Sequence, residues 1–558
     1  MPGISWPLAR LVTVGWLGLV CLAPAMSEDP LMAWRPVTKA YGVAADGKPL
    51  TSVQSPAFLD PSPNISRVLV IASPSLAPSY VDQADADGFA AGLRHRELAI
   101  WLVAAPDGIA DATADALQQP IDAKAYAGKR VATQYLWRSI GLAAPDVVVV
   151  VKPGSENRLV LQPSAGSFAD ALRRSSVAGI GSIAAVEFIA NPKISLLDVI
   201  DQLGDQTIPA VEKSAQVELL HRRERSAIDV ATVLSKRYGN ALDSVNYQQA
   251  LALIGRLQLG DLTGEATALA AVQQIAEPYA AGAKSALGDK PNGGVFAGHL
   301  LFAELANRTQ DPRYVALVRA AAEHAFTPDG QMRDAMPTHS EMSDAVFMGT
   351  PILVAAGNLT GEQRYFDMAI RHLRFMLELN LRDDGLHQHS PLDPAGTAWG
   401  RGNGFPALGL ALSLSWFPEN SPYRDEMLAA FRAHLAAMEK HQDTSGMWHQ
   451  VVDRPESYPE FTVTCMTTMA IARGLRMGWL DPEIYVPVVQ RAWPAIQSRI
   501  GSDAQLIDVC TGTGKQKSLR DYFDRTAIRG HDTRGGAMAM LVATEIALAQ
   551  RDGKWKLD

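Results

Sequence analysis

With 558 residues, the chain is too long for one ordinary core and predicts two or three domains. Hydrophobic residues at 47% and charged residues at 20% fit a folded globular protein and exclude a disordered or membrane-embedded one. A formal net charge of −8 excludes general affinity for nucleic acid or anionic membranes, so any positive charge an acidic ligand needs must be local.

Residues 1–25 have the pattern of a signal peptide. Arg10 supplies the positive start, Leu11 to Leu22 the apolar stretch, and Ala23-Pro24-Ala25 a small-x-small cleavage site. The apolar stretch is too short to span a bilayer core of roughly 30 Å. The expectation is an exported, periplasmic or secreted protein with no membrane insertion after cleavage near Ala25. A lipoprotein site at Cys21 is the rival, with Val20 standing where a small residue is wanted. Removing the leader leaves Cys465 and Cys510, which permit one disulfide and form no zinc motif.

Residues 26–60 are expected as a linker or N-terminal extension, and 61–200 as a small three-layer α/β domain. Val68–Ala72, Leu98–Val103 and the five valines 147–151 are continuous apolar runs ended by Pro or Gly. Such runs suit strands buried on both faces of a parallel sheet. Gly179, Gly181 and Ser182 make no dinucleotide fingerprint, and neither a Gly-x-Ser-x-Gly elbow nor a phosphate loop is present. His95-Arg96-Glu97 has no plausible ligand partner and is best placed at a solvated helix end.

From 212 to 556 the pattern turns helical. Phe366, Ile370, Leu373 and Leu377 share one helical face, as do Leu428, Phe431, Leu435 and Met438. Asn307–Tyr314 is echoed 51 residues later by Asn358–Tyr365, each copy between two helical patterns. A helix-pair unit repeated at that spacing predicts a helical array. About twelve helical segments suffice for six hairpins closed into a ring. The irregular stretches 382–403 and 502–535 are then loops at one end.

Four segments break the apolar rhythm with polar and aromatic residues: His339–Met348, Gly385–His389, Trp399–Gly404 and Ser445–Gln450 with Ser457–Glu460. Tryptophans offer flat faces to sugar rings, and Arg401 could pair a carboxylate in bidentate fashion. These features describe a carbohydrate site better than a protein interface. Each also has a structural reading. Asp344 could simply cap a helix, Arg401 could brace loops through carbonyls, and His387 with His389 could be a polar loop pair. Asp532 with Arg534 suits a structural ion pair, and Glu460 and Asp508 suit loop anchors.

The region 290–550 resembles the unsaturated glucuronyl and rhamnogalacturonyl hydrolases of glycoside hydrolase families 88 and 105. Asp344-Ala-Val-Phe-Met348, Trp399-Gly-Arg-Gly-Asn403, Gly446-Met-Trp-His-Gln450, Ser457-Tyr-Pro-Glu460 and Asp532-Thr-Arg-Gly-Gly536 carry the likeness, in order. The resemblance implies an (α/α)6 toroid, an acidic oligosaccharide as substrate and no metal or organic cofactor. It makes Asp344 the catalytic acid, protonating the C4=C5 bond of an unsaturated uronic acid before water adds at C5. His389 and Arg401 would contact substrate and Trp399 would shape the pocket; His339, Asn403, Trp448 and His449 complete the candidate substrate-binding set. The sequence departs from the pattern in one place. The family's second aspartate, just before the glycine corresponding to Gly298, has no equivalent, and Asp289 and Glu341 are the substitutes on offer. A saturated β-glucuronidase on the same scaffold is therefore the alternative, and a non-catalytic glycan-binding protein a second one.

Overall fold

A computed structural model of the chain describes residues 31–59, 64–106, 131–204, 206–338, 341–512 and 514–555. The expected signal peptide lies outside these residues, as does Cys21. No helix among the described residues is long and apolar enough to cross a membrane. The chain divides into two compact units, Met1–His221 and Arg222–Asp558.

The first unit is built on seven strands: β1 (Val37–Val43), β2 (Pro49–Gln54), β3 (Ser66–Ala72), β4 (Leu98–Ala104), β5 (Val147–Pro153), β6 (Arg158–Val160) and β7 (Ala185–Ala190). They pair in the order β1-β2-β4-β3-β5-β7-β6. The central β4-β3-β5-β7 block is parallel, and β1, β2 and β6 add antiparallel edges. The three apolar runs of the sequence become β3, β4 and β5, and Val68 to Ala72 have no measurable exposure. The expectation of a linker up to residue 60 is corrected here, because β1 and β2 are integral to the sheet. Their mixed polar and apolar residues, with β1 exposed at its start, lack the continuous run that betrays a strand buried on both faces. Helices α1 (Ala77–Ala84), α2 (Asp87–His95), α3 (Val131–Ala143) and α4 (Phe168–Arg174) connect the strands, and α5 (Leu196–Gly204) and α6 (Ala215–Glu224) carry the chain onward from β7.

The second unit is almost wholly helical: α7 (Ala227–Ser235), α8 (Tyr247–Thr263), α9 (Thr267–Ala280), α10 (Gly293–Gly298), α11 (Leu300–Thr309), α12 (Pro312–Ala322), α13 (Ala345–Thr360), α14 (Gln363–Asn380), α15 (Gly400–Trp416), α16 (Arg424–Glu439), α17 (Phe461–Arg476), α18 (Pro482–Ser498), α19 (Leu519–Phe523) and α20 (Thr533–Arg551). Six inner positions, held by α8, α10 with α11, α13, α15, α17 and α20, pack each on the next, and α20 returns to α8. The ring therefore closes. Helices α7, α9, α12, α14, α16 and α18 lie outside it, as six hairpins require. Inner helices touch neighbours on both sides, so α13 and α15 are buried nearly all round and lose the one-sided stripe of an outer helix. Such close packing needs small residues at the contacts: a Cβ on Gly409 of α15 would stand 2.7 Å from the Phe347 Cα on α13. On outer helices the predicted faces hold, with Ile370 and Leu373 of α14, and Phe431, Leu435 and Met438 of α16, turned into the core. Each such Leu, Ile or Phe contributes about 1.5–3 kcal/mol on full burial. Cys465 and Cys510 are both buried free thiols, so the disulfide the sequence permits is not formed.

Candidate active site

The inner helices begin at one end of the ring, and the polar segments of the sequence gather there. Asn246, Asn292, Glu460 and Asp532 cap α8, α10, α17 and α20 through side-chain oxygens. Asp344 occupies the same position on α13 but makes no capping hydrogen bond. Its backbone is already helical, whereas a capping residue is usually extended. Both carboxyl oxygens are buried and have no hydrogen-bond partner among the described residues. Burial pushes the Asp344 carboxyl up to about 7, against the opposing pull of the Arg401, Arg525 and Arg534 guanidiniums.

His389 is the nearest expected partner, with Nε2 3.7 Å from Asp344 Oδ1. Its Nδ1 lies 2.8 Å from the Tyr522 hydroxyl. The Trp399 ring packs on that imidazole, centroids 4.4 Å apart, and its indole N–H donates to Gln450 Oε1 at 3.3 Å. The guanidiniums of Arg401 and Arg525 each stand 4.9 Å from the Trp399 ring centre, a cation–π arrangement. Trp399 thus ties the histidine to the positive charge around Asp344.

Arg401 is fully buried, and its Nη1 donates to the Cys510 carbonyl at 2.7 Å and Nη2 to the Gly512 carbonyl. The planar fork offered for a substrate carboxylate is thus spent largely on the 506–512 backbone, while Nε has no partner among the described residues. Arg534 Nε and Arg525 Nη1 are likewise buried without one. Three guanidiniums with spare N–H groups therefore surround one unpartnered carboxyl.

Three of the expected substrate contacts are committed to the protein instead. Asn403 accepts from the His387 N–H at 2.8 Å and donates to the His387 and Trp399 carbonyls at 2.9 and 3.0 Å. Trp448 is buried and donates to the Met438 carbonyl at 2.7 Å. His449 pairs with Asp443 at 2.9 Å, and that carboxylate outweighs burial to raise the imidazole above its ordinary value. These residues hold the loops that hold the site, a distinction that spacing in sequence does not encode. His387 is buried against His434, ring centres 4.8 Å apart. His339 lies outside the described residues.

The expected loop anchors are in place. Glu460 takes hydrogen bonds from the N–H groups of Val463 and Cys510 and from the Thr462 hydroxyl. Asp508 faces Arg499 at 3.3 Å. Asp532 caps α20, with its Oδ2 3.9 Å from Arg534 Nη1. Of the two substitutes for the missing second aspartate, Glu341 is ion-paired with Lys515 and Asp289 is exposed. No group of three or more His, Cys, Asp or Glu among the described residues could hold a metal ion.

Tyr522, Arg525 and Gln450 are the members that sequence reasoning missed as site residues. The first two sit in the irregular stretch 502–535, which was itself a signal, but no local motif marks either one.

Residues 218–549, more than half of the chain, match the model of Glycosyl Hydrolase Family 88. The chain is 26% identical over 248 residues to the unsaturated rhamnogalacturonyl hydrolase YesR of Bacillus subtilis, covering 41% of this chain and 69% of that one. It is 28% identical over 174 residues to an unsaturated 3S-rhamnoglycuronyl hydrolase of Formosa agariphila, covering 27% of this chain and 45% of that one. A solved structure described as a polysaccharide lyase superimposes with a TM-score of 0.50 at 19% identity, covering 58% of this chain and 97% of its own. At that identity the likeness concerns the fold alone.

Proposed function

The chain belongs to Glycosyl Hydrolase Family 88, and from that premise we propose that it removes a terminal 4,5-unsaturated uronic acid from oligosaccharides, with Asp344 as acid and base. The observation that carries this reading is the Asp344 carboxyl: buried, without a hydrogen-bond donor among the described residues, and pushed up to about 7. A carboxyl at that value is protonated in a large fraction of molecules near neutrality, yet ionises readily once its proton is used. In the first step the proton passes to C4 of the double bond and positive charge develops at C5, shared with the ring oxygen. In the second, the Asp344 carboxylate takes a proton from water as the hydroxyl adds to C5. The hemiketal so formed collapses and releases the partner sugar, and Asp344 is again protonated.

The substrate class has independent support. The spare N–H groups of Arg401, Arg525 and Arg534 favour an anionic sugar, and so do the inner-helix N-termini gathered at this end. Two of the relatives are, by their names, unsaturated rhamnogalacturonyl and 3S-rhamnoglycuronyl hydrolases.

Hydration also fits better than the saturated β-glucuronidase alternative. Hydrolysis of a saturated glycoside uses two carboxyl groups. Here Glu460 is filled by its own loop and Glu341 is ion-paired, which leaves Asp344 as the one carboxyl in this cluster with free oxygens among the described residues. Export is part of the proposal and rests on the leader pattern of residues 1–25.

The test follows the ultraviolet absorbance of the conjugated uronate in polysaccharide-lyase digests, using wild type and Asp344→Asn. The expected result is loss of absorbance with wild type and a rate at least about a hundredfold lower with the variant. Unchanged absorbance together with release of glucuronic acid from a saturated glucuronide would move the protein to the alternative.

A further inference from the structure

Tyr522 lies in the short helix α19, 133 residues from His389 in sequence, yet its hydroxyl stands 2.8 Å from His389 Nδ1. The tyrosine is fully buried. Its backbone carbonyl is held by the Gln450 side-chain N–H at 3.0 Å. The Gln516 backbone N–H donates to the phenol oxygen at 3.2 Å. A phenol oxygen that accepts an N–H on one side turns its own proton elsewhere, and the imidazole nitrogen is within ordinary hydrogen-bond reach.

The histidine is fixed on its other sides as well. Its N–H donates to the Thr397 carbonyl and its carbonyl accepts from the Ser343 N–H, each at 2.9 Å. Trp399 packs on the ring. What this framing leaves undetermined is which ring nitrogen carries the proton, and Tyr522 is placed to decide it.

We propose that Tyr522 is a positioning residue: its hydroxyl donates to His389 Nδ1, so the imidazole proton resides on Nε2 and faces the Asp344 carboxyl. The inference rests on the reading of Asp344 as acid and base. Once Asp344 has given its proton to the sugar, a carboxylate stands in a buried site with few donors, and Nε2–H is the donor that a small closure from 3.7 Å would bring to it. The opposite tautomer would point a lone pair at the same anion and oppose its formation. Asp393, through a side-chain hydrogen bond as well as its charge, and Arg525 act on Tyr522, while Arg401, Arg525 and Arg534 act on Asp344. Asp393 is therefore the competing acceptor for the hydroxyl proton.

The experiment compares Tyr522→Phe, His389→Gln, the double variant and Asp344→Asn by steady-state kinetics on lyase digests, with thermal melts beside them. Tyr522→Phe is expected to lower kcat about tenfold with KM within about twofold, and to melt within about two degrees of wild type. In the His389→Gln background it is expected to change nothing further, because its effect passes through the histidine. Imidazole nitrogen-15 shifts of wild type, assigned by loss of the His389 signals in His389→Gln, supply a readout that does not depend on any tyrosine variant folding. They are expected to show Nδ1 unprotonated and Nε2 protonated. A protonated Nδ1, an unchanged kcat in Tyr522→Phe, or a full multiplicative loss in the double variant overturns the proposal. Failure of Tyr522→Phe beside an inactive Asp344→Asn sinks this inference alone, whereas an active Asp344→Asn sinks the underlying reading and this one with it.

Discussion

A carboxyl buried without a donor makes the folded state costlier as it ionises. Asp344 sits at about 7 against an ordinary 3.8, so between those values the folded chain keeps a proton that the unfolded chain has released. Stability from this site is therefore greatest below the ordinary carboxyl value, falls as pH climbs toward the folded value, and is level beyond it. Asp344→Asn keeps the shape and removes the ionisation. The melting temperature of the variant relative to wild type should rise through the same pH window by a few degrees and then plateau. Melts at half-unit pH steps would show it, and a difference that stays flat or narrows with pH would mean the carboxyl is not raised. The same residue illustrates what sequence can and cannot say. Its motif made it the candidate acid, but only the structure shows that it does not cap α13 although it sits where a cap would.

At the scale of helices, the first turn of α13 is held from outside by α14. His372 Nε2–H donates to the Ala345 carbonyl at 2.8 Å, and Nδ1 accepts from the Met336 N–H at 3.2 Å. The imidazole is therefore buried neutral, and burial lowers it to about 4, with the Ala345 bond opposing. A base depressed in the folded state adds stability that is whole above its ordinary value of 6.5 and is lost as pH falls toward the folded one. His372→Gln keeps a donor for the carbonyl without the titration. The advantage of wild type over that variant should therefore shrink by up to about 3 kcal/mol between neutrality and the acid end of that window. Denaturant titrations at the two ends of the window would measure the change. An advantage that grows on acidification would reverse the assigned sign. Because Ala345 directly follows Asp344, the same contact fixes the turn that carries the candidate acid.

At the scale of the molecule, the catalytic unit depends on closure of its ring. Helix α20 joins α17 to α8, and Glu545 of α20 is buried against Arg473 and Arg476 of α17. Burial alone would raise this carboxyl, but the two guanidiniums hold it below its usual range. Removing one partner of a buried pair strands the other charge, so Glu545→Ala should cost about 3–5 kcal/mol. Equilibrium unfolding would register the loss, and a variant as stable as wild type would show that the pair does not secure the closure. Glu545→Gln, which keeps some hydrogen bonding, should fall between the two.

Much of this was legible in the chain itself because it is local. Continuous apolar runs specify strands buried on both faces, so β3, β4 and β5 lay where expected. Apolar residues at helical spacing specify the outer faces of α14 and α16, and the Asn307 and Asn358 echo announced a repeating helix pair. The ordered motifs from Asp344 to Gly536 placed the chain near its family and named the candidate acid. Other features were decided by the tertiary structure because they depend on where distant atoms finish. Edge strand β1 and its neighbour β2 mix polar with apolar residues and so leave no continuous apolar run. Arg401 spends most of its fork on carbonyls of Cys510 and Gly512, more than a hundred residues away, and Asn403, Trp448 and His449 are taken up by partners within their own and neighbouring loops, which only the folded geometry reveals. Tyr522 meets His389 only because a loop 133 residues away folds over the ends of the inner helices. Sequence determined which side chains the site would have at hand; the dense packing of the ring decided which of them still have an unmet charge or hydrogen bond to offer a substrate.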